Sequence, residues 1–235
     1  MPERSLIRPA DVPWLLADWA DRLVPGRFAE LHRLVGPYSM ASRARLRGLY
    51  RAVRRVVREG IPGDVVECGT ARGGSAALMG LTLNRLRAER RLWVFDTFEG
   101  LPPPSDADPD RAIAQQFIGE CRGDLEEVEG LFRSLGIRGA TTFVKGLFQD
   151  TLPVTPIGSI AVLHLDGDWH DSVMSCFEHL YSRVSPGGII QIDDYGHWAG
   201  ARKATDAFLS RHAPGVRLRY VDYTGRQMTK PAGGR

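Results

Sequence analysis

A chain of 235 residues, 43% hydrophobic and 25% charged, can fill one substantial core, so a single main domain with a small helical addition is the expected organisation. The net charge of +3 is mild and the arginines are dispersed instead of gathered in a block, which argues against nucleic acid as a partner. Cys68, Cys121 and Cys176 are odd in number and lack zinc spacing, which points to free thiols in a reducing, cytoplasmic setting.

At the start of the chain, Asp11 and Pro13 precede Leu15, Leu16, Trp19 and Leu23 at helical spacing. This predicts a capped amphipathic helix. Asp18 and Asp21 interrupt the apolar stretch, so it makes a poor signal peptide, and no later run is long enough to span a bilayer. From Ser42 to Glu59 a second helix is predicted. Leu46, Leu49, Tyr50, Val53 and Val57 form its apolar stripe, while Arg43, Arg47, Arg51, Arg54, Arg55 and Arg58 read as a solvated face. Residues 1–60 are therefore expected to form a helical N-terminal cap.

After Gly60-Ile61-Pro62-Gly63 the pattern changes to short apolar runs alternating with helical segments. That pattern predicts repeated βαβ units and a mostly parallel sheet in an α/β domain over 61–235. Strands are expected near 64–68, 92–96, 141–145, 160–165, 188–193 and 216–221, with one more near 225–230. Ile160–Leu165 is nearly all apolar and reads as a central strand covered on both faces. The helix through Val173, Phe177, Leu180, Tyr181 and Val184 is expected to end at Ser185-Pro186-Gly187-Gly188. Glu99–Asp110 reads as a surface loop shaping a pocket. Asp106, Asp108 and Asp110 imitate the start of a calcium loop, but Arg111 replaces the glycine at its sixth position and Phe117 the glutamate at its twelfth, so no calcium is expected there. Pro231–Arg235 reads as a frayed tail.

Three motifs carry chemistry. Glu67-Cys68-Gly69-Thr70-Ala71-Arg72-Gly73-Gly74-Ser75 follows a predicted strand and opens a predicted helix. The dinucleotide fingerprint needs glycine where Ala71 stands, because the backbone there approaches a pyrophosphate. This turn instead suits a nucleoside without phosphates, whose amino-acid end uses backbone groups and the Glu67 carboxylate; the alternative is a plain strand-to-helix turn. Asp96 ends the run Leu92–Phe95 and is placed either to accept hydrogen bonds from both ribose hydroxyls or to serve as an ordinary turn aspartate. Both strand ends open onto one crevice, which favours the nucleoside. Finally, Asp166 closes the central strand and Asp193-Asp194 the following one. Carboxylates brought together at neighbouring strand ends repel unless protons or a cation intervene. An all-oxygen set suits magnesium, manganese or calcium; capping of helices or pairing with arginine is the alternative for any one of them.

Taken with Tyr38-Ser39-Met40, Phe95-Asp96-Thr97-Phe98-Glu99-Gly100-Leu101-Pro102, Gly146 with Phe148, Asp150-Thr151-Leu152-Pro153 and Leu163-His164-Leu165-Asp166 followed by Asp168-Trp169, the chain resembles the macrocin O-methyltransferase family. That family includes mycinamicin and other sugar O-methyltransferases of antibiotic pathways. The resemblance runs from about Tyr38 to about Leu209. It implies a class I methyltransferase fold, a Rossmann-like seven-stranded sheet with helices on both faces, and S-adenosyl-L-methionine as cofactor. It implies Mg2+, with Mn2+ as a substitute, held by Asp166, Asp193 and Asp194. It further implies cofactor contacts at Glu67, Gly69, Ser75 and Asp96, with Phe148 and Gln149 near the adenine and Met40 in a covering segment. The acceptor would be a hydroxyl of a small molecule, a natural-product sugar above all, and the enzyme a homo-oligomer. Ala71, Gly167 and His170 depart from the family pattern near the pocket, which bears on the acceptor more than on the reaction.

For proton removal from that hydroxyl, Asp166, His170 and His197 are the candidates; the resemblance favours Asp166, and an imidazole suits transfer near neutrality. Tyr38 is a candidate for the acceptor wall, with packing between cap and sheet as the alternative. His164, inside an apolar strand, reads as a satisfied core histidine. Two rival readings stand beside this one. A catechol-type phenol methyltransferase would share the metal chemistry but has aspartate-asparagine where this chain has Asp193-Asp194; a non-catalytic cofactor-binding protein is the other.

Overall fold

The computed structural model describes residues 27–232. The helix expected between Pro13 and Leu23 and the last residues of the tail lie outside the described residues. Two helices come first, α1 (Arg27–Val35) and α2 (Arg43–Arg58). Ser42 starts α2 by accepting the Arg45 amide at 3.1 Å on its side-chain oxygen, which satisfies one of the free donors of the first turn.

The sheet contains β1 (Asp64–Cys68), β2 (Leu92–Asp96), β3 (Thr141–Lys145), β4 (Ile160–Leu165), β5 (Val184–Ile192), β6 (Arg219–Tyr220) and β7 (Arg226–Thr229), in the order β3-β2-β1-β4-β5-β7-β6. β1 to β5 are parallel and β7 runs antiparallel to β5 and β6. This is the expected α/β sheet. The reversal of order beside β1 leaves a crevice at the C-terminal strand ends, where open α/β sheets bind ligands. β5 departs from expectation by starting at Val184 instead of Gly188. The ladder to β4 slips between Ile160 and Val162, and Gly187 adopts φ +81°. The Ser-Pro-Gly-Gly stretch is thus absorbed as an irregularity inside the strand.

Alternate residues along each strand face opposite layers. Val65, Val94, Val162 and Ile189 pack with α1, α2 and α3 (Gly74–Leu86), while Val66, Phe95, Leu163 and Ile190 pack with helices that follow β4 and β5. Residues 27–60 therefore belong to the core of one face: Leu31, Leu46, Leu49 and Val53 are fully buried in the same cluster as Val65 and Leu78. The arginine face of α2 is not uniformly solvated. Arg47 is 2% exposed, with its guanidinium 4.7 Å from the Phe28 ring, whereas Arg54 and Arg58 are exposed.

On this same face the apolar pattern is broken by a row of buried polar residues in register across four strands, Glu67, His164, Gln191 and Gln227. Gln191 Nε2 donates to the Arg45 carbonyl at 3.2 Å and Gln227 Nε2 to the Gly48 carbonyl at 3.5 Å. A Cβ on Gly48 would lie 2.5 Å from Gln191 Oε1, so glycine in mid-helix lets α2 settle on the row.

The remaining helices are α4 (Arg111–Ala114), α5 (Leu125–Ser134), α6 (Phe148–Thr151), α7 (His170–Leu180) and α8 (Ala199–His212). In the acidic loop before α4 each aspartate has a partner in the protein. Asp106 pairs with Arg111, Asp108 Oδ1 accepts the His170 amide at 2.7 Å, and Asp110 Oδ2 accepts the Ala199 amide at 2.9 Å. The loop thereby holds the first amides of α7 and α8. Among the described residues no helix is long and apolar enough to cross a membrane.

Candidate active site

A cavity of about 440 Å³ opens at the C-terminal ends of the parallel strands. One side of it is the turn after β1. Gly69 adopts φ +87°, and a Cβ there would stand 1.8 Å from the Asp166 carbonyl oxygen. The turn and the end of β4 consequently touch backbone to backbone, which only glycine permits. Ala71, with φ +46°, lines the cavity together with Thr70 and Ser75.

Asp96 also lines it, but its carboxylate is largely engaged. Oδ2 accepts the Thr70 and Ala71 amides at 2.7 and 3.0 Å, and Oδ1 accepts the Phe98 amide at 2.7 Å. A carboxylate offers about four acceptor sites, so Asp96 braces the glycine turn and keeps little capacity for the two ribose hydroxyls expected of it. Burial raises its pKa, while these three amides pull the other way.

Glu67 is fully buried. Its Oε1 accepts from His164 Nδ1 at 2.8 Å, whereas Oε2 is buried with no partner in the protein. Of the covering segment, Ser39, Met40 and Ala41 line the cavity. Tyr38 does not: it is 37% exposed, with the Arg72 guanidinium 5.8 Å from its ring. Phe148 lines the cavity while Gln149 is exposed and does not line it; consecutive residues on the first turn of α6 project about 100° apart.

Another side of the cavity is acidic. Asp166, Asp168, Asp193 and Asp194 all line the cavity. One oxygen from each of Asp166, Asp168 and Asp194 lies within 4.8 Å of the others, and atoms of His164, Asp166 and Asp193 meet the same limit. The expected set of Asp166, Asp193 and Asp194 is thus split, with Asp166 shared. The reason is that Asp193 is occupied: Oδ2 is paired with Arg45 Nη1, and Oδ1 lies 3.4 Å from His164 Nε2. Arg45 also reaches Asp222 Oδ2 through Nε at 3.1 Å. Asp168, at φ +55°, accepts from Trp198 Nε1 at 2.9 Å.

Charge in this cluster sorts accordingly. Burial together with Asp193, Asp194 and Asp168 holds the Asp166 pKa well above the ordinary carboxyl range. Asp168 is likewise raised, by burial and by Asp194, and Asp194 is pushed up to about 6 by burial and by Asp193. Asp193 alone is lowered: burial opposes its charge, but the bond from His164 and the charge of Arg45 outweigh it. Burial would lower His164, yet bonds to Asp193 and Glu67 push it up to about 9. The core histidine is therefore satisfied, by two carboxylates. Asp194 Oδ2 remains buried without a partner.

Of the base candidates, Asp166 and His197 line the cavity. His170 does not: as the first residue of α7 it turns Nδ1 to Asp171 at 2.7 Å. Arg45 was legible but missed. It stands at helical spacing with Leu49, Ala52 and Val56, all buried, so the periodicity places it on the inward face. Phe117, in a 3-10 turn after α4, and Cys121, Trp198 and Tyr223, in loops, also line the cavity and come from segments with no periodic signal.

The family model for macrocin O-methyltransferase (TylF) matches residues 30–230. The chain is 37% identical over 195 residues to the 8-demethyl-8-(2,3-dimethoxy-alpha-L-rhamnosyl)-tetracenomycin-C 4'-O-methyltransferase of Streptomyces olivaceus, covering 80% of this chain and 74% of that protein. It is 32% identical over 196 residues to the mycinamicin III 3''-O-methyltransferase of Micromonospora griseorubida, covering 80% and 76%. The solved structure of the O-methyltransferase NovP superposes with a TM-score of 0.78 at 30% identity, over 83% of this chain and 82% of that one. The chain belongs to the macrocin O-methyltransferase family and is an S-adenosylmethionine-dependent O-methyltransferase.

Proposed function

We propose that the chain methylates a sugar hydroxyl of a natural product and that a divalent cation, Mg2+ or Mn2+, assists. The observation that carries the metal reading is the acid cluster, which shares one cavity with the glycine turn and includes a buried Asp194 oxygen without a partner. An all-oxygen donor set of this kind fits a hard cation. Asp166, Asp168 and Asp194 would hold it, with Asp193 alongside, its charge divided between Arg45 and His164. When bound, S-adenosylmethionine supplies an electrophilic methyl group and the ion supplies Lewis acidity.

The chain's own residues do the rest. The Gly69–Ser75 turn seats the amino-acid end of the donor, and the unpartnered Glu67 oxygen supplies an acceptor for its ammonium group. Phe148 lies against the base, and Met40 covers the site. Asp166 sits where the donor turn and the acid cluster meet and takes the acceptor proton. Phe117, Trp198 and Tyr223 wall the acceptor side and suit the apolar face of a sugar. Alignment of the hydroxyl behind the methyl carbon supplies much of the acceleration. The sugar acceptor is supported by the names of the relatives, two of which act on glycosylated natural products.

The test is a panel of rhamnosylated and other glycosylated polyketides set beside simple catechols, incubated with S-adenosylmethionine and Mg2+, with products read by mass spectrometry. A methylated glycoside is expected. A catechol methylated with higher kcat/KM than every glycoside would favour the phenol methyltransferase instead.

A further inference from the structure

One side chain of the buried row, His164, bridges the buried Glu67 at the end of β1 and the cavity-lining Asp193 after β5. Glu67 and His164 are direct partners in the β1–β4 ladder, and His164 and Gln191 are partners in the β4–β5 ladder. In a strand, residues two apart share a face, so Asp193 follows Gln191 on the side where His164 lies, as Asp166 follows His164. The result is an imidazole with no exposure to solvent, Nδ1 2.8 Å from Glu67 Oε1 and Nε2 3.4 Å from Asp193 Oδ1. Glu67 retains a second oxygen that is buried and unpartnered. Asp193 extends the chain to Arg45, which lines the cavity, and through Arg45 to Asp222 in the turn between β6 and β7. A neutral core histidine needs one acceptor, for its single N–H, and offers its other nitrogen to a donor. Here both nitrogens are committed to carboxylates, one of which, Asp193, lines the cavity, while the other, Glu67, is buried two residues before the cavity-lining Gly69.

We infer that His164 is a positioning residue that orients Glu67 toward the methyl donor and Asp193 toward the acceptor side, so that occupation of one half is felt in the other. This rests on the reading of the cavity as a joint cofactor and cation site. Neither carboxylate can rotate without changing its bond to the ring, and the ring is fixed by the ladders on both sides. Binding at Glu67 therefore alters how firmly His164 holds Asp193, a coupling between sites that linkage makes reciprocal.

Two substitutions separate the two bonds. In H164N the amide nitrogen takes the place of Nδ1 and keeps the bond to Glu67; in H164Q it takes the place of Nε2 and keeps the bond to Asp193. Both remove the ring and its charge alike, so the comparison between them isolates geometry. Calorimetry on the full-length protein would measure binding of S-adenosylhomocysteine and of Mn2+ to each variant. H164N is expected to bind S-adenosylhomocysteine roughly tenfold tighter than H164Q, and H164Q to bind Mn2+ roughly tenfold tighter than H164N, the size expected of one hydrogen bond to a charged group. This crossing of orders is something general loosening of the core would not produce. The same order for both ligands, or no difference between the variants, would overturn the proposal.

The unmutated protein gives a second measurement that does not depend on the variants folding. Saturating S-adenosylhomocysteine should change its Mn2+ affinity by on the order of fivefold, and unchanged affinity would overturn the coupling. Absence of any Mn2+ binding would defeat the metal reading alone. His164 would then be judged on the cofactor arm, where equal affinities of H164N and H164Q remove it as a positioning residue.

Discussion

Asp96 and Asp194 stand at the C-terminal ends of β2 and β5, both largely withdrawn from water, and they are treated in opposite ways. Three backbone amides converge on Asp96, so its charge is compensated by the fold itself. Asp194 has one oxygen buried without a partner and three acidic neighbours, and its pKa is pushed up to about 6 by burial and by Asp193. The carboxylate at the end of β2 is thus satisfied by the folded chain, whereas the one at the end of β5 is left for a ligand to finish. An enzyme whose donor is constant and whose acceptor is activated on arrival has reason for this asymmetry.

The sharpest way to break the comparison is to withhold the ion. Chelation, or Asp166→Asn, should lower turnover at least roughly a hundredfold, corresponding to loss of several kcal/mol of Lewis-acid assistance, with the circular dichroism spectrum unchanged. Full activity in chelator-treated buffer would show the acceptor half to be complete without a cation. Asp193 provides the contrast inside that half, because it alone is paired. Asp193→Ala removes one of the two carboxylate partners of both Arg45 and His164 and should destabilise the fold by about 1.5–3 kcal/mol, read as the denaturation midpoint, whereas Asp168→Asn should leave stability nearly unchanged and weaken Mn2+ binding roughly tenfold. On the donor side, Asp96→Ala removes the brace of the glycine turn, costing about 1.5–3 kcal/mol in stability. If cofactor affinity fell with no change in melting temperature, Asp96 would be a ligand contact and not a brace.

A pH titration of metal-free protein sharpens the comparison further. A carboxyl group raised from an unfolded value of about 4 to about 6 in the fold binds more protons folded than unfolded across that window. Stability must therefore fall as pH rises from about 4 to 6, the reverse of an ordinary salt-bridged aspartate. His164, held up to about 9, adds a second decline as pH rises through its folded value. Saturating Mg2+ should flatten the first decline and leave the second. At the small end, Gln149→Ala should change cofactor affinity by less than about 0.5 kcal/mol, while Phe148→Ala weakens it measurably.

Most of the scaffold was legible because it rests on local periodicity. The runs at Asp64–Cys68, Leu92–Asp96, Thr141–Lys145 and Ile160–Leu165 mark their own ends by a turn residue or an acid, and the strand ends are where the site lies. Part of what escaped required knowledge of partners across the sheet. His164 reads as a core residue because a single sequence does not reveal that Glu67 and Asp193 flank it in register. Arg45 was hidden among other arginines of one helix, although its spacing to Leu49 and Val56 turned it inward. Gln149 and His170 do not line the cavity for a more local reason: at the start of a helix Gln149 projects about 100° away from Phe148, and His170 turns its Nδ1 to Asp171.

Asp108 and Asp110 sit in the loop whose earlier part, Gly100 to Pro102, walls the cavity, and they hold the leading amides of α7 and α8. The wall that meets the acceptor and the clasp that seats two core helices are consequently one continuous piece of chain. Grafting this loop between relatives to exchange acceptors is constrained accordingly. Residues near Gly100 to Pro102 are open to replacement, but a graft that fails to return an acid at both 108 and 110 would release the helices carrying Ser172 and the packing around Trp198, and a change of substrate range would arrive together with a loss of fold.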